Sequence, residues 1–210
     1  MKTTSSAKNN ILKKIKQALA TPVPLPFDQT EQSQAFFLKS TDDLEILFAE
    51  NFSSLQGRFA FCEHEDELAE QLKTLFAARN WTKIFIQEDA LRKIIIARLP
   101  EINTSTTLEA CDASITGCEC LIARTGTIML SSVENGRTSS VYAPVHICVA
   151  YSSQLVFDLK DGIDLVKTKY AAAIPSLITF ASGPSRTADI EKTLVTGVHG
   201  PKEAFCFLLQ

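Results

Sequence analysis

From Thr41 onward, short runs of β-branched and aromatic residues alternate with longer segments at helical spacing. A helical pattern near Asp42 to Ser54 leads to a strand at Arg58 to Cys62, a helix from Glu65 to Arg79, a strand at Lys83 to Ile86 and a further helical stretch closed by Arg98-Leu99-Pro100. Neighbouring strands that run the same way need a crossover of about a dozen residues, and helices of this length supply it. The expectation is an α/β fold, a largely parallel sheet flanked by helices. Between Ser114 and Ala150 the rhythm tightens. Cys120 to Ala123, Thr127 to Ser131 and Val145 to Ala150 lie close together, broken by Arg124-Thr125-Gly126 and Glu134-Asn135-Gly136. Asn-Gly tolerates positive φ at both positions and marks a turn, so a β-rich insert is expected. A helix from about Asp161 to Ala172, a buried strand at Leu177 to Ala181, a helix from Ala188 to Val195 and a strand at Ala204 to Leu209 complete the pattern.

Ahead of this body, Ala7 to Ala20 places Ile11, Leu12, Ile15 and Leu19 on one helical face among lysines, and Thr21-Pro22-Val23-Pro24-Leu25-Pro26 stops the helix. Residues 1–30 thus read as an N-terminal helical extension with a proline-rich arm, and 31–210 as the main domain. The helix either docks on its own domain or serves as a contact element for a partner. With 45% hydrophobic and 21% charged residues the chain can bury a core. A net charge of -3 provides no positive field for nucleic acid. The longest charge-free stretch, Thr138 to Phe157, contains Pro144, His146 and several hydroxyl residues, so no membrane span is expected. No secretory signal is recognised, and a cytoplasmic location is the default. The six cysteines include no CxxC pair; they read as small buried hydrophobes without disulfides.

Three segments can carry chemistry. In Ile178 to Glu191 an apolar strand runs through Ser182-Gly183-Pro184 to Ser185 or Thr187, either of which can cap a following helix. The unpaired amides and positive dipole end of that helix would hold an anion, and the Arg186 guanidinium suits a carboxylate or phosphate. The alternative is plain capping, with Arg186 paired to Asp189 or Glu191. In the second segment, Gly197-Val198-His199-Gly200-Pro201, His199 stands between two flexible residues and can exchange a proton, bind a ligand or simply bond the turn backbone. In the third, Glu119 interrupts an almost uncharged run. It serves as base, nucleophile or ligand acceptor, or else pairs with Arg124, Arg137 or Arg186. Cys118 and Cys120 would point to one face if the strand pattern held, but no further ligands stand at metal-binding spacing.

Thr125-Gly126-Thr127, Ala143-Pro144-Val145-His146-Ile147, Ser182-Gly183-Pro184-Ser185-Arg186-Thr187-Ala188-Asp189-Ile190-Glu191 and Gly197-Val198-His199-Gly200-Pro201 together resemble the LUD-domain family, whose best-known member type is lactate-utilisation protein C. The likeness is close over the last half of the chain. It implies that 31–210 is a LUD domain with a fold like the sugar-phosphate isomerase and CoA-transferase (NagB/RpiA/CoA-transferase-like) superfamily. It further implies an accessory or substrate-binding subunit in oxidation of L-lactate to pyruvate, with iron-sulfur clusters in partner subunits and no cofactor or metal in this chain. On that basis the candidate ligand-binding residues are Thr125, Gly126, Thr127, Gly183, Pro184, Ser185, Arg186, Thr187 and Gly200, receiving a small carboxylate or phosphate. Glu119 and His199 are the catalytic candidates. Many relatives carry an acidic residue where this chain has Arg124. The alternative function is a free-standing enzyme acting on a phosphorylated sugar or an acyl-CoA, with Glu119 as base or nucleophile.

Overall fold

The structure is a computed structural model and describes residues 3–20, 43–104, 106–171, 173–188 and 194–210. The chain divides into two compact units, Met1–Ser40 and Thr41–Gln210. In the first, helix α1 spans Thr3–Leu19, which matches the helical spacing in the sequence. The proline-rich arm lies outside the described residues.

The second unit begins with α2 (Leu44–Ser54), capped by the Asp43 carboxylate, which accepts from the amide of Glu45. Then come β1 (Arg58–Cys62), α3 (Glu65–Arg79), β2 (Ile84–Ile86), α4 (Asp89–Arg98) and β3 (Ala113–Thr116). The expected alternation is therefore present. Strands β4 (Cys120–Ile122) and β5 (Thr127–Ser131) form an antiparallel hairpin, turned at Arg124-Thr125-Gly126 with Gly126 at φ 56. Next are β6 (Val145–Tyr151), β7 (Leu155–Val156), α5 (Leu159–Tyr170), β8 (Ile178–Ala181), β9 (Arg186–Ala188), β10 (Leu194–Thr196) and β11 (Glu203–Leu209).

A five-stranded sheet in the order β1-β11-β6-β3-β2 is parallel throughout. Its central strands, Val-His-Ile-Cys-Val-Ala in β6 and Ala-Phe-Cys-Phe-Leu-Leu in β11, are apolar on both faces because both faces are covered. Leu68, Leu72 and Phe76 of α3 and Ile95 of α4 pack on Ile147, Val149 and Phe207. On the other face, Phe48 and Phe52 of α2 join Leu121, Ile128, Cys148 and Leu208. A second sheet, β7-β4-β5-β8, forms the next layer, and Val166 of α5 closes its far side against Cys120, Ile122 and Met129.

Several expectations need correction. Val145 to Ala150 belongs to the middle of the parallel sheet, so the β-rich insert consists of β4, β5 and their neighbours. Glu134-Asn135-Gly136 leads from one sheet to the other rather than closing a hairpin; Asn135 is buried there and its side-chain oxygen accepts from the Ser131 amide at 3.0 Å. The strand ending at Ala181 lies antiparallel to β5 in the second sheet. The expected helix from Ala188 to Val195 is replaced at both ends by β9 and β10, which pair antiparallel with Ala188 opposite Leu194 and Arg186 opposite Thr196. Cys118 and Cys120 face different clusters, because strand geometry begins only at Cys120. All six cysteines are free and buried. Among the described residues no helix is long and apolar enough to cross a membrane.

Candidate functional site

Two segments distant in sequence meet beyond the end of β8. The turn Ser182–Ser185 carries Gly183 at φ 82, where a Cβ would stand 2.4 Å from the Leu55 carbonyl oxygen. Only glycine fits that turn against the end of α2. Ser185 N–H donates to Pro201 O at 2.9 Å and Ser185 O accepts from Gly197 N at 3.0 Å. Gly200 closes the approach, since a Cβ there would lie 2.8 Å from Ser185 Cβ. These bonds use the Ser185 backbone to fasten the two segments together.

Between them lies a cavity of about 250 Å³ whose walls include Ser140, His146, Ser182, Ser185 and His199. None of the described residues lining it is Asp, Glu, Lys or Arg. Its size suits a small molecule, and its polar groups are hydroxyls, imidazoles and main chain. Gly183, Pro184, Ser185, His199 and Gly200 therefore come together here as candidates. Thr127 joins them indirectly. Its hydroxyl lies 2.7 Å from Ser182 Oγ and 2.8 Å from Thr125 Oγ1, a hydroxyl chain running back into the β4–β5 turn.

The turn does not open into a helix among the described residues, because Arg186, Thr187 and Ala188 are extended and paired to β10; residues 189–193 of the expected helix lie outside the described residues. The anion cup loses the dipole contribution assigned to it. The turn also follows β8, which pairs antiparallel with β5 at the edge of the second sheet, and so does not lie at the carboxyl end of a parallel strand. Arg186 is exposed and does not line the cavity. Thr187 contributes backbone pairing opposite Val195.

His146 is not among the candidate site residues read from the sequence. It is buried on β6, its Nε2 lies 2.8 Å from Thr116 Oγ1, and burial pushes its pKa down to about 4. A lone histidine within an otherwise uncharged apolar strand was the signal available. His199, by contrast, is exposed on the opposite segment.

Glu119 stands apart from this cavity. Its side chain is fully buried, Oε1 accepts from Tyr170 OH at 2.6 Å and Oε2 from Lys169 Nζ at 3.0 Å. Burial pushes this carboxyl up, but hydrogen bonding to Ser131, Tyr170 and Lys169 outweighs it and holds the group below its ordinary value. The expected arginine partners are not the ones used. Arg124 instead binds Asp158 at 2.6 Å, tying the β4–β5 turn to the cap of α5, and Arg137 reaches Ser176 Oγ at 2.7 Å. Lys169 also contacts Glu134 at 3.1 Å. It lines a second cavity of about 290 Å³ with Glu88, Glu134 and Asn135, at the carboxyl ends of β2, β3 and β6. Glu88 accepts from the Gly117 amide at 2.9 Å and from Asn135 at 2.8 Å.

Removing the cation would leave a buried carboxylate unmatched. Lys169→Met is expected to destabilise folding by about 2 kcal/mol in urea titrations, a value reduced from the buried-pair figure because the ammonium is half-exposed. The double substitution with Glu119→Gln should recover part of that loss. A neutral Lys169→Met would contradict a structural role for this pair.

Gly126 likewise has a packing task. A Cβ there would lie 2.4 Å from Phe52 N, and Asn51 Nδ2 donates to Ala123 O at 2.9 Å, so α2 grips the turn directly.

A fully parallel central sheet, α3 and α4 on one face, α2 and a second sheet on the other, and a cavity of small-molecule size without Asp, Glu, Lys or Arg in its described lining define an α/β domain. Residues 99–209 match the LUD domain family, and the chain belongs to that family. It is 39% identical over 97 residues to Lactate utilization protein C of Deinococcus radiodurans, covering 45% of each chain. It is 36% identical over 104 residues to Lactate utilization protein C of Bacillus subtilis, 48% of this chain and 43% of that one. An uncharacterized protein of Neisseria meningitidis serogroup B is 42% identical over 93 residues, 44% of this chain and 40% of the relative. The chain thus matches less than half the length of these curated relatives. A crystal structure of a DUF162 family protein from Deinococcus radiodurans superposes with a TM-score of 0.61 at 19% identity, covering 88% of this chain and all of that one, and shares the fold.

Proposed function

We propose that this chain is an accessory, substrate-binding subunit of a lactate-oxidising assembly. It holds L-lactate, a small carboxylate, while partner subunits carry the iron-sulfur clusters. The similarity to lactate utilization proteins C supports the pathway. The observation that carries the binding role is the cavity between Ser182–Ser185 and His199–Pro201, of small volume and without a carboxylate in its described walls to repel an anion. The sequence has no CxxC pair, which motivates placing the clusters in the partner subunits. A free-standing enzyme using Glu119 as base or nucleophile draws less support, since both oxygens of that carboxylate are engaged and its side chain is buried.

Affinity purification of the tagged chain from its native cell under gentle lysis should recover two polypeptides with iron-sulfur absorbance; isolation alone would contradict the assembly. Arg186, exposed on β9 immediately after the cavity residue Ser185, adds attraction for an anion at the rim. Arg186→Ala should weaken L-lactate binding about threefold in calorimetry, while the melting temperature moves by less than about 1 °C. Unchanged affinity would remove Arg186 from the site.

A further inference from the structure

The hydrogen bonds around Thr116 favour one tautomer of His146. Thr116 Oγ1 donates its single hydrogen to Gly117 O at 2.8 Å. The same oxygen lies 2.8 Å from His146 Nε2; with its one hydrogen on Gly117 O it accepts from Nε2–H, the arrangement that satisfies both contacts at once. Nδ1 is left with a bare lone pair. Among the described residues the one side-chain polar atom that is both buried and without a partner is Ser152 Oγ. Among the described residues His146 is hydrogen-bonded through Nε2, and the cavity that His146 lines is the open space available to Nδ1. Burial keeps this imidazole neutral at physiological pH, its pKa being lowered to about 4.

We infer that His146 Nδ1 is the acceptor for the hydroxyl of a 2-hydroxycarboxylate, and that the cavity thereby selects the hydroxy acid over the corresponding 2-oxo acid. The inference rests on the carboxylate-binding role proposed above. A hydroxyl donates to Nδ1. A ketone oxygen in the same place sets two lone pairs against each other, and a methylene leaves the acceptor unpaired; both are costly in a desolvated site. His146 would thus determine specificity, oriented by Thr116.

The test titrates the full chain with sodium L-lactate, pyruvate and propionate, and records the imidazole nitrogens of ¹⁵N-histidine-labelled protein. L-Lactate should bind roughly tenfold or more tightly than the other two. Nε2 should carry the proton, and the unprotonated Nδ1 resonance should move with L-lactate but not with pyruvate. His146→Phe should bring the three affinities together. The nitrogen spectrum of the parent protein decides the question independently if that variant fails to fold. Equal affinities in the parent would overturn the selectivity while leaving carboxylate binding intact, as would a proton on Nδ1. Binding of none of the three would overturn both.

Discussion

Gly126→Val is expected to lower the thermal unfolding midpoint by about 10 °C, corresponding to roughly 4 kcal/mol for a domain of this size. Two costs combine. At φ 56 a β-branched residue is strained whatever surrounds it. The added Cβ would also stand 2.4 Å from Phe52 N and 2.6 Å from Asn51 C, backbone atoms that cannot rotate aside. Relief requires moving α2, whose Phe48 and Phe52 are fully buried against the central sheet. Gly136→Ala is the matched comparison. It too has a positive φ, 72, but its Cβ would meet Ser139 Oγ at 3.2 Å, the end of a small side chain. A loss near 1 kcal/mol is expected there. Differential scanning calorimetry of both variants checks the pair, and a Gly126→Val protein as stable as its parent would contradict the packing of α2 on this turn.

Stability should also fall as pH is lowered from about 6.5 to about 4, because of His146 alone by roughly 3 kcal/mol. The unfolded chain takes up a proton near 6.5, whereas the folded, desolvated imidazole does so only near 4. Between these values the unfolded state binds the extra proton, so acid favours unfolding at about 1.4 kcal/mol per pH unit. The stability is present above this window and lost on descending through it. Glu119 adds to the decline lower down, since a carboxyl with a depressed pKa loses its contribution when it is finally protonated. Urea titrations across this range should show the slope in the parent and a flatter one in His146→Phe. A parent protein with constant stability from pH 6.5 to 4.5 would show that His146 is solvated.

The parallel sheet was legible because its strands are short β-branched or aromatic runs separated by helices of crossover length; β1 and α3 appear with the bounds expected. At its ends, Ala188 and Leu194-Val195, the expected helix gives way to strand for a physical reason. Its hydroxyl cap, Ala188 and Ile190-Glu191-Lys192 satisfy the local requirements of a helix. Yet Thr187 and Leu194-Val195-Thr196 also suit strands, and the deciding bonds, Ser185 N to Pro201 O and Gly197 N to Ser185 O, join residues 12 to 16 apart. Local pattern holds no record of them. Glu119 was recognised as an unusual buried carboxylate, but its partner Lys169 lies fifty residues away on α5, and no spacing rule connects them. His146 was visible as the lone polar ring in an apolar strand. Its importance emerged only when β3 set Thr116 beside it.

The proposed function requires that the cavity between the Ser182–Ser185 turn and the His199–Pro201 segment receive a small carboxylate. Amide chemical-shift mapping of the ¹⁵N-labelled chain during titration with sodium L-lactate tests this directly. Saturable shifts should concentrate at Ser182, Gly183, Ser185, His199 and Gly200. Shifts gathered instead around Glu88, Asn135 and Lys169, or none at any concentration, would contradict it.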